Sequence, residues 1–318
     1  MQEDAFIRIL LSMTYSKVLG IALFAGVTLL PYMTQSLSRF GLRRTLRLRM
    51  HRLLTAFRPH SPRHIVLDAA TLGDRNVCII GDVHGCGTEL KEMYELVDSK
   101  YGKDKTTFIL AGDLVNKGPL SAEVVAFAMQ KMALGNTYVI KGNHDDYIAQ
   151  RYLGRNKAKL GGWEKTLSIQ EIDWMNRLPL TISLPSLNSI VVHAGLIPGK
   201  DIEDQRYNDM LLMRNIITST DKDNGELILK SFSKESQGEP WAKVWSDAQE
   251  KEQNPLHVYF GHDAKRGLQE YPYATGLDTG CCYGNNLTAI VLPQKDICVI
   301  KAHEVYEEPG KKFKMKNV

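Results

Sequence analysis

A chain of 318 residues, 43% hydrophobic and 24% charged, carries enough apolar material for one large globular domain or two small ones. This balance excludes a disordered chain, a collagen-like repeat and a disulfide scaffold. The net charge of +4 divides unevenly: residues 1–64 hold ten Lys and Arg against two acids, residues 65–309 hold 26 against 34, and Lys311, Lys312, Lys314 and Lys316 form a basic end. An acidic body with two basic appendages is implied, and the overall sign says little about what the body binds.

Val18–Met33 is a 16-residue run without a charge, just short of the roughly 17–25 residues that span a bilayer as a helix. Extension back to Phe6 gives the length at the cost of Arg8 and Lys17. Residues 1–35 therefore read as an N-terminal hydrophobic membrane anchor, with a signal-peptide core and a buried helix as alternatives. In residues 36–64, Leu42, Leu46, Met50, Leu53, Leu54 and Phe57 recur at helical spacing with five arginines between them. That pattern predicts a basic amphipathic juxtamembrane segment lying on anionic lipid. The positive-inside rule places the basic side, and so the domain, on the cytosolic face. Pro59 and Pro62 mark a linker into a body spanning 65–305, and 306–318 is a basic tail.

Within the body, five short apolar, β-leaning runs each end in a polar cluster, which is how α/β domains present functional residues at the carboxyl ends of strands. In order they are VCII before Gly81-Asp82-Val83-His84-Gly85, FILA before Gly112-Asp113, YVIK before Gly142-Asn143-His144-Asp145, IVV before His193-Ala194-Gly195, and VYF before Gly261-His262-Asp263. Helical patterns fill the gaps at Thr88–Ser99 and Ser121–Leu134, with Ser121 as the expected N-cap. One such cluster alone is an ordinary turn. Together they supply Asp, His and Asn donors with no thiolate, a set suited to a pair of divalent metals such as Mn, Fe, Zn or Mg. The five cysteines (Cys78, Cys86, Cys281, Cys282 and Cys298) form no CxxC pair and read as reduced structural thiols. Gly280-Cys281-Cys282-Tyr283-Gly284 reads as a turn near the site.

The series GDVHG, GDLVNKGP, GNHD, HAGL and GHD resembles the phosphoprotein phosphatase superfamily of calcineurin-like metallophosphoesterases over about residues 76–303. The resemblance implies an α/β fold, a mixed β-sandwich flanked by helices with a dimetal site at strand ends. Residue by residue, it makes Asp82, His84 and Asp113 the ligands of one metal, with Asp113 bridging, and Asn143, His193 and His262 the ligands completing the second. His144 corresponds to the family's general acid. Two divalent ions are implied, zinc first, with Mn, Co, Fe or Mg as alternatives.

In the protein phosphatases of this superfamily the second motif usually reads GDxVDRG; here Asn116 replaces the aspartate that orients and charges the histidine, and Lys117 replaces the phosphate-clamping arginine. A carboxylate beside His144 favours the imidazolium and helps to protonate an alkoxide; a neutral amide gives up that support. A phosphate leaving group, with its last ionisation near pH 6, needs far less help. Phosphoanhydride substrates are therefore expected. Asp145 or Asp146 is the available carboxylate to take the missing partner's place. Lys117, Asn143, Arg214 and Arg177 are the candidates for holding phosphate, and either arginine reads equally as a helix-surface residue.

These departures look like the diadenosine-tetraphosphatase-like branch, and HAGLIPG and TGLDTGCCYGNNLTAIVLP resemble it too. A hydrophobic anchor ahead of the domain is similar to the fungal zinc-dependent endopolyphosphatases of the vacuole, which implies internal cleavage of inorganic polyphosphate and a vacuolar location, against the cytosolic face given by the charge rule. The runner-up is a pyrophosphohydrolase of dinucleoside polyphosphates or RNA caps, with Tyr101, Tyr147, Trp163 and Trp174 as sources of a base-stacking pocket; a cap-like substrate is the one nucleic-acid partner this admits, and no protein partner is evident. A protein serine/threonine phosphatase is a third reading. A tethered adaptor with a dead metal site is disfavoured, because every ligand position is filled.

Overall fold

The computed structural model describes residues 63–153, 162–220, 227–234 and 236–309. The expected membrane anchor, all but the last two residues of the basic segment 36–64, and the tail from residue 310 lie outside the described residues. Among the described residues no helix is long and apolar enough to cross a membrane.

The body opens with β1 (His64–Val66), α1 (Ala69–Leu72), β2 (Asn76–Ile80), α2 (Gly87–Tyr101), β3 (Thr106–Leu110), α3 (Ser121–Ala133), β4 (Thr137–Val139) and α4 (Asn143–Leu153). It continues through α5 (Ile169–Asn176), β5 (Thr181–Leu184), β6 (Ser189–Val192), α6 (Tyr207–Leu212), β7 (Asn215–Thr220), β8 (Leu227–Phe232), β9 (Glu239–Pro240) and α7 (Trp241–Gln249). The last strands are β10 (His257–Phe260), β11 (Gln269–Tyr271), β12 (Ala274–Gly276), β13 (Asn286–Leu292) and β14 (Asp296–Lys301). Each of the five apolar runs that precede the polar clusters contains strand, although Ala111, Ile140 and Lys141 fall just past the ends of β3 and β4. The chain packs on the domain slightly beyond residue 305, since the N–H groups of Tyr306 and Glu307 donate to Cys282 O at 3.0 and 2.9 Å.

Two mixed sheets face each other. One has the order β14-β13-β2-β3-β4, with β2, β3 and β4 parallel; the other has the order β1-β5-β6-β10-β12-β11, with β6, β10 and β12 parallel. Parallel neighbours need crossovers, and α2 and α3 supply them between β2, β3 and β4. The period of two in strands sorts the side chains. Ile79, Ile109, Val191, Ile182 and Tyr259 fill the space between the sheets, all essentially inaccessible. Their neighbours Ile190, Val192, Val258 and Phe260 point the other way, onto Met210, Leu211, Trp241 and Trp245 of α6 and α7. On the outer face of the first sheet Phe108 stacks on Tyr94 of α2, ring centroids 3.9 Å apart. With both faces covered, β2 and β3 read as continuous apolar runs, as buried parallel strands do.

One helix start differs from expectation. The N-cap of α3 is Leu120, which offers no side-chain acceptor, and Ser121 is the first helical residue. Its hydroxyl accepts the Asn116 N–H at 3.0 Å instead, tying the GDLVNKGP loop to the helix.

His257, at the start of β10, is largely buried against Tyr259, with Nε2 and Thr275 Oγ1 2.8 Å apart. Burial, and then the charge of Lys295, push its pKa down to about 4. The unfolded chain takes up this proton from about pH 6.5, so the fold loses stability as pH falls from there toward about 4 and loses none of it at higher pH. His257→Gln keeps a hydrogen-bonding partner for Thr275 and removes the titration. Its urea midpoint should therefore drop less than the wild type's between about pH 7.5 and about pH 5.

Candidate metal centre and active site

Each motif loop leaves the carboxyl end of a strand. Asp82 and His84 follow β2, Asp113 follows β3, Asn143 and His144 open α4 just after β4, and His193 and His262 follow β6 and β10. Ile80 pairs with Leu110, Leu110 with Val139, and Tyr259 with Val191, so the chains leave each sheet at matching levels. The expected metal ligands Asp82, His84, Asp113, Asn143, His193 and His262 thus meet in one place.

This convergence needs unusual backbone. His84, Asp113 and His262 adopt φ of 45°, 49° and 69°, and Asn116 and Lys117 adopt 76° and 68°. Non-glycine residues in that region cost about 1–3 kcal/mol each and cluster at functional sites. Two motif glycines permit close approach instead: a Cβ on Gly142 would strike the Asp113 backbone and carboxylate, and one on Gly261 would strike the Asp82 carboxylate.

Backbone carbonyls set the tautomers. His84 Nδ1 donates to Val115 O (3.1 Å) and His193 Nδ1 to Ala111 O (2.8 Å), leaving Nε2 of each with its lone pair. His262 has the opposite tautomer: Nε2 lies 3.3 Å from Leu212 O, so Nδ1 carries the lone pair. His193 Nε2 and His262 Nδ1 then lie 3.0 and 2.8 Å from Asn143 Oδ1, three lone pairs facing one another. Asp113 stands 3.4 Å from His84 and 3.5 Å from His193, one carboxylate oxygen toward each. Asp82 Oδ2 is buried and accepts no hydrogen bond among the described residues. Converging lone pairs and an orphaned carboxylate oxygen repel one another unless a cation lies between them, so this donor set fits divalent metal ions. Two carboxylate–imidazole groups, His84 with Asp113 and His144, and Asp82 with Asp113 and His193, share Asp113, as a bridging ligand requires.

The charges agree with that reading. Burial, then Asp278 and Asp113, push the Asp82 carboxyl well up. Burial works the same way on Asp113, but His193, His144, His84 and Lys117 override it and hold its carboxyl below the usual range. Burial keeps His84 and His262 neutral, far below the ordinary imidazole pKa.

Asn116 contacts the general-acid candidate. Its Oδ1 accepts the Lys117 N–H at 2.9 Å, which fixes the amide so that Nδ2 faces His144 Nδ1, also at 2.9 Å. His144 Nδ1 is therefore an acceptor, the ring proton sits on Nε2, and Nε2 looks toward Asp113 Oδ2 at 4.0 Å. Burial, then Lys117, His193 and Arg214, outweigh Asp113 and bring this imidazole down to about 4. Neither expected substitute for the missing aspartate touches the ring. Asp145 is fully buried and accepts from the N–H groups of Leu114 and Gly142 (3.0 and 2.9 Å), tying the second motif to the third. Asp146 accepts from Tyr207 OH and lies 3.6 Å from Lys141 Nζ.

Among the phosphate-holding candidates, Lys117 Nζ lies 2.7 Å from His84 Nε2 and 5.1 Å from the centre of the Tyr283 ring. Arg214 donates to His262 O and Ser233 O at 3.0 and 3.2 Å, with Nε 3.7 Å from Asp263. Both line a cleft of about 870 Å³ over the expected metal ligands, joined by Lys234, Lys265 and Asn285. Arg177 does not belong there. It pairs with Asp173 on its own helix at 3.1 Å, as helix-surface arginines do.

Two carboxylates were not foreseen as site residues. Asp278, buried at the cleft floor, follows β12, whose three residues are too short for a strand signal. Asp263 stands between Arg214 and Arg266, and only its place in the GHD motif hinted at a role. The GCCYG segment forms the expected turn, and all five cysteines are free and buried. Cys86 and Cys281 lie with Glu89, whose Oε1 accepts from His303 N and Tyr306 OH at 3.0 and 2.8 Å, in a second buried group that pins the C-terminal segment.

The profile of the calcineurin-like phosphoesterase family matches residues 75–298. The chain belongs to this family. Among its relatives, a symmetrical bis(5′-nucleosyl)-tetraphosphatase of Coxiella burnetii is 30% identical over 269 residues, covering 70% of this chain and 90% of its own length. An asymmetrical bis(5′-nucleosyl)-tetraphosphatase of Oceanobacillus iheyensis is 26% identical over 251 residues, covering 72% and 93%. A crystal structure of a candidate diadenosine tetraphosphatase superposes with a TM-score of 0.62 at 32% identity, covering 76% of this chain and 99% of that one. Calcineurin-like phosphoesterases are metallohydrolases of phosphate bonds, which fits the donor set; an affinity with fungal endopolyphosphatases is not among these findings.

Asp145→Asn leaves an amide N–H facing a backbone N–H at the junction of two motif loops. It should cost about 1–3 kcal/mol, read as a lower urea midpoint, and should lower the metal content of the purified protein.

Proposed function

We propose that this metallophosphoesterase hydrolyses phosphoanhydride bonds in dinucleoside polyphosphates. The observation that carries this reading is the Asn116 amide on His144, which pins the ring with its proton on Nε2 and supplies no charge to help expel a strongly basic alkoxide. A departing phosphate chain needs only a hydrogen bond from that Nε2–H. The relatives' names, which are those of bis(5′-nucleosyl)-tetraphosphatases, support the same substrate class. Inorganic polyphosphate is the second reading, favoured by Lys117, Arg214, Lys234 and Lys265 around the cleft, where lysine point charges suit a repeating phosphate chain.

In this scheme Asp82, His84 and Asp113 hold one divalent ion, and Asp113, Asn143, His193 and His262 hold the other. Bound there, the ions would supply Lewis-acid charge against the phosphate oxygens and make water acidic enough to attack near neutral pH. Hydrolysis adds one water across one P–O–P bond. Lys117 and Arg214 hold non-bridging oxygens and orient the bond, and His144 Nε2–H steadies the oxygen that leaves. Asn116 keeps that N–H aimed, and the carbonyls of Val115 and Ala111 keep His84 and His193 in their ligating tautomers.

Side-by-side assays with diadenosine tetraphosphate, long-chain polyphosphate and a phosphoserine peptide test the reading. The dinucleotide should give the highest kcat/KM, and a faster phosphopeptide reaction overturns the assignment. Restoring the charge partner with Asn116→Asp should raise phosphomonoester hydrolysis relative to diadenosine tetraphosphate by at least tenfold, part of the roughly 10²–10⁴ that a positioned acid contributes. Chelation should abolish activity, and adding back Zn, Mn, Co or Mg one at a time should restore it and identify the working ion.

A further inference from the structure

A second cavity, of about 540 Å³, adjoins the metal centre on the side of His144. Asn143 and His144 form the wall it shares with the catalytic cleft, and Asn116 lies beside them on the groove side. Its far side is Tyr147 on α4 and Trp163 and Glu164 on the 3-10 turn Gly162–Thr166. The two cavities differ in chemistry. The cleft is ringed with lysine and arginine, whereas this groove has neither: it presents Tyr147, Trp163, Ile148, Leu211 and Leu212 with uncharged amides and two carboxylates, the half-buried Asp146 and the buried Glu164.

We propose that the groove binds a nucleobase of the substrate, a planar base with an exocyclic amine, stacked on Tyr147 and Trp163 while its phosphate chain runs past His144 to the metal ligands. This rests on the dinucleoside polyphosphate reading. Tyr147 is 44% exposed although it borders the reaction centre, and Arg151 lies 5.9 Å from the centre of its ring. Arg151 also stands 3.7 Å from Glu164 Oε1, linking α4 to the turn that carries Trp163 and so setting the spacing of the two rings. Glu164 is only 5% exposed, and its Oε2 accepts no hydrogen bond among the described residues. A buried carboxylate oxygen without a donor is costly, and the amine of adenine, guanine or cytosine supplies the donor. The cavity has the size of a small-molecule site, and the substrate class pairs the two chemistries that the adjoining cavities offer separately, an aromatic base and a polyanionic chain.

The test uses the full chain and does not depend on turnover alone. ADP should quench tryptophan fluorescence saturably, the quench should vanish in Trp163→Phe, and ADP should bind roughly tenfold more weakly to Tyr147→Ala, since stacking on an aromatic side chain governs such sites. Tyr147→Phe should restore binding. In turnover, Tyr147→Ala should raise KM for diadenosine tetraphosphate and lower its kcat/KM relative to inorganic tetraphosphate, which has no base, by about the same factor. Diadenosine tetraphosphate should be preferred over its diuridine counterpart, and Glu164→Gln should narrow that preference. An ADP quench independent of Trp163, or an unchanged KM in Tyr147→Ala, overturns the base site whatever the enzyme cleaves. A Trp163-dependent quench without cleavage of diadenosine tetraphosphate overturns the functional reading and leaves the base site standing.

Discussion

Everything at this site depends on holding like groups together. Asp82, Asp113 and Asp278 are buried together, burial and then the last two pushing the Asp82 carboxyl up, and the lone pairs of Asn143, His193 and His262 converge. Without a cation such an arrangement flies apart or takes up protons. The scaffold resists with two stiff parallel ladders whose ends are level, with glycines thin enough to let Gly142 lie on Asp113 and Gly261 on Asp82, and with five left-handed non-glycine residues over-determined by the packing beneath them. The sandwich core of Ile79, Ile109, Val191 and Tyr259 is what opposes that strain, because it fixes the strand ends from which the loops spring.

The same constraint explains the hydrogen bonds that do not touch substrate. Val115 O, Ala111 O and Leu212 O each engage the far nitrogen of one of the proposed ligand imidazoles, so that rotating a ring costs a hydrogen bond and brings the wrong nitrogen inward. Asp145 performs the corresponding service for the backbone, bonding Leu114 and Gly142 at once. The carboxylate nearest in sequence to His144 is therefore structural, and among the described residues it is the neutral Asn116 that sets the ring's tautomer.

What sequence reasoning could see follows from which features are local. Strands covered on both faces produce apolar runs, and a polar cluster directly after such a run lies at a strand end, so the six proposed metal ligands and His144 were legible as a group. Tautomers, the orientation of the Asn116 amide and the double bond of Asp145 depend on carbonyls and N–H groups brought close by folding, and no spacing encodes them. Ser121 shows the limit at short range. A serine before a helical run looks like a cap, but a loop five residues upstream had a stronger use for its hydroxyl. Asp278 was missed because the strand before it is three residues long, and Arg177 stayed open between a phosphate clamp and a helix-surface arginine because the pattern looks the same whether it faces a phosphate or an aspartate four residues away.

The charge of the chain now has a physical distribution. The body is acidic in sum, yet its cleft is lined by Lys117, Arg214, Lys234 and Lys265 around carboxylates suited to metal ions, so attraction for a polyanion is local and short-ranged. A cleft of that kind cannot by itself distinguish one phosphate chain from another, because lysine and metal charge act on any of them. On the proposed reading, discrimination comes from groups that respond to the ends of the chain: the leaving group, through the amide-pinned His144, and whatever lies beyond it, through the aromatic groove sharing the His144 wall. In that proposal one imidazole borders both decisions, which bond breaks easily and which molecule that bond belongs to.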